Sequence, residues 1–377
     1  MSDVTITPVH TWHQRRALLT FPWRVYKDDP IWVPPLLPER AKVIDPQRGA
    51  FFEHGEADFF TALRDGRVVG TVCAAEDRFY NQNMHRKVCM IGFLEYLEDY
   101  EVFSALIERA IRWARQHGLN ALMGPFNLDY EDSYGVLVRG RDRPPTMLCG
   151  HTPPYYQDFM ERYGFIPARA ANLAFAIGAL ETPEIQRLAR IADGIRKRGK
   201  ISVRSANLED WQGEIDRVHY LLNHCFTWTD DPMPWSREAV ESLVAPLRQI
   251  ADPELALFAE VDDKAVGIFL GVPNLNEVLI HVNGLRYPWD YLRLLRYMRL
   301  KPKCLAIKSV LVLPEYQKHG ASVLLFDEMR KRAIAKGYTW ADLSITSEDN
   351  PDTPQLALRM GAVEYKRWQV YALPFDI

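Results

Sequence analysis

The stretch Val310 to Met329, VLVLPEYQKHGASVLLFDEM, decides how the rest of the chain is read. It continues an apolar, β-branched run from Ala306 to Leu313, which reads as a buried strand. Pro314 stops that run. Gln317-Lys318-His319-Gly320-Ala321-Ser322 follows, and then an amphipathic run with Leu324, Leu325, Phe326, Met329 and Ile334. The order is strand, small-residue turn, helix. A helix entered in this way turns unpaired N–H groups and the positive end of its dipole toward an anion. Gly320 allows close backbone approach, and Ala321 and Ser322 keep the rim thin. A phosphate or pyrophosphate suits such a turn.

The helix closes at Gly337 and a strand follows from Thr339 to Thr346. Then come Asn350, a short helix ending at Gly361, and a last strand through Tyr371. The hexad resembles the GNAT superfamily signature Gln/Arg-x-x-Gly-x-Gly/Ala, which cradles the pyrophosphate of coenzyme A. Ser322 stands where Gly or Ala is usual. Any polar helix entry could carry such a hexad, but the elements after it also resemble the second half of a GNAT fold.

Composition sets wide bounds. The chain has 377 residues, 47% hydrophobic and 25% charged, which suits a globular protein of two or three domains. A net charge of −3 argues against a nucleic-acid binder. The five cysteines show no CxxC pair or Cys/His ligand spacing, so free thiols and no metal site are expected. Neither an apolar signal region nor a run of about 18 apolar residues is present, and a cytoplasmic protein is expected, peripheral at most to the inner membrane face.

The chain in order reads as one pattern written twice. Strands at Phe59 to Arg64 and Val68 to Ala75 flank the hairpin turn Asp65-Gly66; a strand from Val88 to Leu97 and a helix from Val102 to Gln116 follow. From Ile201 the order repeats, with a helix through Cys225, another from Ser236 to Gln249, and a hairpin at Asp262-Asp263. Gly70 and Gly267 lie 197 residues apart, as do Gly164 and Gly361. Gly118 and Gly337 lie 219 apart, which an insertion at Tyr287 to Pro302 and a longer first-copy loop at Asp129 to Thr152 explain. The expected division is 1–180 as a degenerate first domain, 181–200 as a helical linker, and 201–377 as the acyl-CoA-binding catalytic domain. The expected class is α/β (α+β), each domain a twisted, mixed, mostly antiparallel sheet flanked by helices. The first copy carries Glu98-Asp99-Tyr100-Glu101 and no glycine where the second has its turn, so it should reject a pyrophosphate. Asp28-Asp29-Pro30-x-Trp32-Val33-Pro34-Pro35, Phe51-Phe52-Glu53-His54, Gly124-Pro125-Phe126-Asn127 and Pro153-Pro154-Tyr155-Tyr156 resemble a bacterial branch of tandem GNAT proteins.

The resemblance implies N-acyl transfer from acyl-CoA, a co-substrate rather than a resident cofactor. It places Gln317, Lys318, His319, Gly320, Ala321 and Ser322 on the pyrophosphate, Val310, Leu311 and Val312 along the pantetheine, and Asn350 on the cofactor. Asn350 also reads as a helix N-cap, and both roles can hold. The family often has a Tyr four residues before the glycine matched by Gly361; here Ala357 stands there, and Tyr365 or Tyr316 are the substitutes on offer. His281, His151 and Glu95 are candidate bases, with Asp129, Glu131 and Asp132 in the long loop beside them.

The inserted segment 286–301 bears on the acceptor. Arg293, Arg296 and Arg299 recur on one helical face, with Tyr291, Leu292, Leu294, Leu295 and Met298 on another. Such a helix suits an anionic membrane surface, or is an ordinary surface helix whose Arg stems cover its sides. Tandem proteins of this kind resemble bacterial ceramide synthases, implying a long-chain acyl donor and the amine of a sphingoid base. A short-chain acetyltransferase acting on a small amine, amino acid or protein lysine, and a non-catalytic CoA sensor, are the alternatives.

Overall fold

The computed structural model describes residues 3–128, 135–178, 180–226, 234–245 and 252–376. Its two compact units interleave along the chain. Unit 1 comprises 1–172, 276–300 and 366–377, and unit 2 comprises 173–275 and 301–365. The division 1–180, 181–200, 201–377 follows the sequence repeat. Compactness divides the chain differently, because the inserted segment and the last strand pack within unit 1.

In unit 1 a sheet runs in the order Thr5–Pro8, Gly55–Arg64, Arg67–Asp77, Val88–Tyr96, Ala121–Gly124, Tyr371–Pro374, Ile166–Pro167. The hairpin turns at Asp65-Gly66, both at positive φ, the conformation that lets two strands join in two residues. Val88–Tyr96 is antiparallel to Arg67–Asp77 and parallel to Ala121–Gly124, the latter from Val88↔Ala121 to Met90↔Met123. Its register then slips. Thr71 faces Glu95 and Cys73 faces Gly92, so Val72 meets two residues, Phe93 and Leu94. Helix Tyr100–Gln116 lays Val102, Phe103, Leu106, Ile107, Ala110 and Trp113 on this sheet at helical spacing. Each large side chain buried there contributes about 1.5–3 kcal/mol.

Unit 2 repeats the scheme. Ala256–Val261 and Lys264–Pro273 turn at Asp262-Asp263, again at positive φ. The central strand Cys304–Val312 is antiparallel to Lys264–Pro273 with a bulge of its own. Leu270 faces Ser309 and Gly271 faces Ile307, leaving Lys308 unmatched. It is parallel to Trp340–Ser347 from Cys304↔Trp340 to Ile307↔Leu343. Both copies therefore place a bulged central strand beside a parallel neighbour that it accompanies for only a few residues. The fold is a mixed, mostly antiparallel sheet with helices, made twice, as the sequence led one to expect.

Details differ from expectation for local reasons. Near the N-terminus two helices, Trp12–Thr20 and Pro22–Val25, follow one another with a break between them, since Pro22 has no N–H to continue the first. The helix expected from Ser236 to Gln249 is seen as Arg237–Val244, C-capped at Ala245, and the expected end at Gln249 lies outside the described residues. The expected linker is helix Pro183–Arg196, and it packs within unit 2 on helix Ala321–Ala335, where Arg196 pairs with the buried Asp327 at 2.9 Å.

Gly92 allows the Gly124-to-Asn127 segment to lie on the central strand of unit 1. A Cβ there would stand 1.5 Å from the Phe126 carbonyl oxygen. Gly92→Ala is expected to destabilise the protein by about 3 kcal/mol or more, read as a lower denaturant midpoint with unchanged m; a loss under about 1 kcal/mol would contradict this packing.

Candidate active site

The turn of unit 2 is built as its residue types demand. Pro314–Gln317 forms a single helical turn after the strand. Gly320, at φ +93°, then opens helix Ala321–Ala335, and no side chain caps that helix. A Cβ on Gly320 would also stand 2.4 Å from Ile195 Cδ1. Gln317 Nε2 donates to the Val312 carbonyl at 3.2 Å, and His319 Nδ1 lies 2.6 Å from the Glu315 carbonyl oxygen. Gln317, Lys318 and His319 are exposed, Gly320 and Ser322 are half-buried, and Ala321 is buried.

The matching helix entrance in unit 1 is already filled. The Asp99 carboxylate accepts from the Glu101 and Val102 amides at 3.0 and 3.3 Å. Arg64 pairs with Asp99, and with Glu101 at 2.8 Å. One copy thus offers bare amides to an outside anion, while the other satisfies them with its own carboxylate.

Val310, Leu311 and Val312 lie opposite Phe269, Ile268 and Gly267 on one side, past the point where the parallel register on the other side ends. Leu311 and Val312 are buried; Ser309 and Val310 are half-buried. At the parting, Lys308 Nζ donates to Ser344 Oγ at 3.1 Å and lies 4.0 Å from Asp342 Oδ2. Ser344 Oγ donates to Asp342, and Tyr365 Oη donates to Asp342 Oδ1 at 2.6 Å. Asp342 is fully buried. The sequence held one signal for this cluster, a lysine interrupting the apolar run Cys304-Leu305-Ala306-Ile307 and Val310-Leu311-Val312. Ala357 is buried and offers no proton donor. Asn350 Oδ1 accepts from the Asp352 and Thr353 amides at 3.1 and 2.9 Å, an Asx turn ahead of helix Thr353–Arg359, whose N-cap is Asp352 and not Asn350.

Unit 1 holds a cavity of about 240 Å³. Leu18, Leu19, Trp32, Val33, Phe93 and Leu279 supply apolar wall, and Arg40, Glu95, Asn127 and His151 supply polar lining. The bulge re-aims the strand just before Glu95. Asn127 Oδ1 pins it, accepting from the Phe93 amide at 2.8 Å. Tyr156 Oη donates to Glu95 Oε2 at 2.8 Å and accepts from the Tyr96 amide at 3.1 Å, while Tyr155 Oη donates to the Tyr96 carbonyl at 2.7 Å. The residue after Glu95 is therefore clamped through both its backbone groups. Burial pushes the Glu95 carboxyl from its ordinary 4.5 to about 7, against the hydrogen bond from Tyr156 and the charge of Arg40.

His151 lines the same cavity. Its side chain is 3% exposed, and Nε2 lies 2.7 Å from Asp29 Oδ2. Its Nδ1 is buried without a hydrogen-bond partner. Burial lowers its pKa, although Asp29 pulls the other way. Tyr26 Oη donates to the His151 carbonyl at 3.0 Å, and its ring stacks on Trp32 at 4.9 Å. Phe51 joins the apolar cluster of Leu18, Leu19, Phe59 and Leu128. Thus the structure brings Glu95 and His151 together but leaves His281 out: that ring is exposed and stacks on Tyr297 at 4.5 Å. Asp129, Glu131 and Asp132 lie outside the described residues.

The comparisons with known proteins agree with this double architecture. The model of the acetyltransferase (GNAT) family matches residues 18–129 and 215–362, and the chain belongs to that family, as an acyltransferase that uses acyl-CoA. More particularly, it is 30% identical over 380 residues to the bacterial ceramide synthase of Caulobacter vibrioides, covering 98% of this chain and 97% of that protein. It is 24% identical over 361 residues to protein YghO of Escherichia coli, covering 94% and 92%. A tandem GNAT protein from the clavulanic acid biosynthesis pathway shares the fold over 100% of this chain and 99% of its own, with a TM-score of 0.58 at 13% identity.

Glu95 makes a stability prediction with a definite sign. Its folded pKa is raised, so its contribution is favourable at low pH and is lost as pH rises through about 7. Glu95→Gln escapes that loss. From pH 5 to pH 8 the variant should gain on the parent by up to about 3 kcal/mol in denaturant unfolding; a difference that does not grow with pH would refute it.

Proposed function

We propose that this protein moves a long-chain acyl group from acyl-CoA to the amine of a membrane-borne, sphingoid-base-like acceptor. The observation that carries the reading is the uncapped helix entrance at Gly320 beside its Asp99-filled counterpart. In this reading the amides after Gly320 hold the diphosphate, with Gln317, Lys318, His319 and Ser322 on its rim. Asn350 holds the turn before helix Thr353–Arg359 and meets the cofactor from there. The backbone of Val310, Leu311 and Val312 holds the pantetheine, and a strand amide there steadies the oxyanion. Acyl transfer forms an amide C–N bond and breaks the thioester C–S bond; the amine must first give up a proton, and the thiolate must be stabilised. Glu95 of unit 1, half ionised near neutral pH, is suited to bind the ammonium of the acceptor. Lys308 is suited to face the thiolate in place of the missing tyrosine, since Tyr365 is committed to Asp342.

The acceptor side of the reading is supported by the named relative and by helix Pro288–Tyr297. An ordinary surface helix buries its apolar stripe, but here Leu292, Leu295 and Met298 are each more than 60% exposed, and Trp289 is exposed too. Arg293 is tied to the buried Asp290 at 3.1 Å. Arg296, Arg299 and Lys301 are exposed beside the apolar residues, the combination that suits an anionic bilayer surface. No helix among the described residues is long and apolar enough to cross a membrane.

Two outcomes are expected. Ser322→Glu places a carboxylate at the bare amides and should raise KM for acyl-CoA at least tenfold, whereas Ser322→Ala should change it less than threefold; equal effects would sink the diphosphate assignment. Arg296→Glu with Arg299→Glu should cut partitioning onto phosphatidylglycerol vesicles tenfold or more and leave turnover of a water-soluble amine intact. Unchanged partitioning would remove the membrane contact, and faster turnover with acetyl-CoA than with palmitoyl-CoA would point to a short-chain enzyme.

A further inference from the structure

The tandem fold gives the first copy no diphosphate site, yet this copy contains the more elaborate polar cavity. Three features of that cavity constrain its guest. The first is His151. Nε2 faces the Asp29 carboxylate at 2.7 Å and so carries the ring's proton in the neutral form. Nδ1 is then a bare acceptor, buried and unpartnered, in a side chain that is 97% buried. An unmet buried acceptor is costly, and a donor from a bound molecule would relieve it. The second is Glu95, a desolvated carboxylate held by the Tyr156 hydroxyl at 2.8 Å. A cation entering the cavity would stabilise its charged form. The third is the wall of Leu18, Leu19, Trp32, Val33 and Phe93, which suits alkyl carbon and not a wholly polar guest.

We propose that the cavity of unit 1 recognises the head of the acceptor as an alkyl amino alcohol, with Glu95 receiving the ammonium and His151 Nδ1 accepting a hydrogen bond from the neighbouring hydroxyl. This rests on the acyltransferase reading for its purpose, though not for its geometry. Asp29 is a positioning residue: by holding Nε2–H it fixes the tautomer that leaves Nδ1 open. Tyr26 adjoins both halves of the site, since its hydroxyl donates to the His151 carbonyl and its ring lies near enough to Glu95 for the two to influence each other's ionisation. The motif residues Asp29, Trp32, Asn127 and Tyr156 thereby acquire a common purpose, which is to shape and orient these two side chains.

The charged and titratable neighbours set the pH range. Glu95 is faced by Tyr26, Tyr155, Tyr156 and Arg40, and His151 by Asp29, Arg141 and Lys366. Amine affinity should therefore rise as pH increases through about 7, while Glu95 ionises and the amine remains an ammonium.

Calorimetry on the full chain without acyl-CoA tests this, using octylamine and 2-aminooctan-1-ol as probes. The parent should bind the amino alcohol at least tenfold more tightly than the amine. His151→Leu should abolish that preference and leave octylamine affinity within threefold, and His151→Asn, which retains an acceptor near the Nδ1 position, should restore part of it. Glu95→Gln should weaken both probes at least tenfold and remove the rise with pH. A denaturant midpoint and m-value for unfolding of unit 1 at pH 5 close to those of the parent show that each variant has folded. A persistent hydroxyl preference in His151→Leu, or undiminished amine binding in Glu95→Gln, overturns the proposal. Failure of the diphosphate assignment would appear instead as unaltered acyl-CoA affinity in Ser322→Glu, with amine binding untouched.

Discussion

A helix entrance carries amides that its own backbone cannot satisfy, and something must accept from them. In this protein the two copies of one fold meet that requirement in opposite ways. Asp99 closes the first entrance with a carboxylate, held in turn by Arg64. Gly320 leaves the second open, because a residue without a side chain at φ +93° can cap nothing and keeps backbone accessible. The division of labour between the copies follows from this contrast. A copy whose amides are filled by its own anion is a poor host for another one.

The first copy is built around the half-buried carboxylate of Glu95. Tyr155 and Tyr156 grip Tyr96 so that Glu95 is held where solvent reaches it poorly, and Asn127 fixes the bulge before it. Such an arrangement costs stability above neutral pH. The cost is carried by dense packing nearby, including the Tyr96–Tyr156 stack at 4.1 Å and the large helix Tyr100–Gln116. Strain of this kind is expected where a group must change charge at work.

Much of this was legible in the sequence. Periodicity placed the helix at Val102 to Gln116 and the hairpins at Asp65-Gly66 and Asp262-Asp263, since turn residues and apolar spacing are local properties. The glycine offsets marked the duplication. The absence of a donor at Ala357 could be read directly, whereas Asn350, expected as an N-cap, holds the turn two residues before the N-cap Asp352. By contrast, periodicity left open whether the leucines of the inserted helix were covered, and only their exposure answers that. His281 and His151 looked alike as lone histidines in loops; one proves to be exposed against Tyr297 and the other buried against Asp29.

The sequence by itself determined the elements, their order, the repeat and the glycine-led helix entrance, because each depends on neighbours a few residues away. Only the tertiary structure brought together the side chains that line the cavity of unit 1. Asp29 and His151 are 122 residues apart, and Glu95 and Tyr156 are 61 apart. No local pattern records such meetings. The bulge that re-aims Glu95 depends on a register slip against the neighbouring strand, which is a property of two strands together and not of either one.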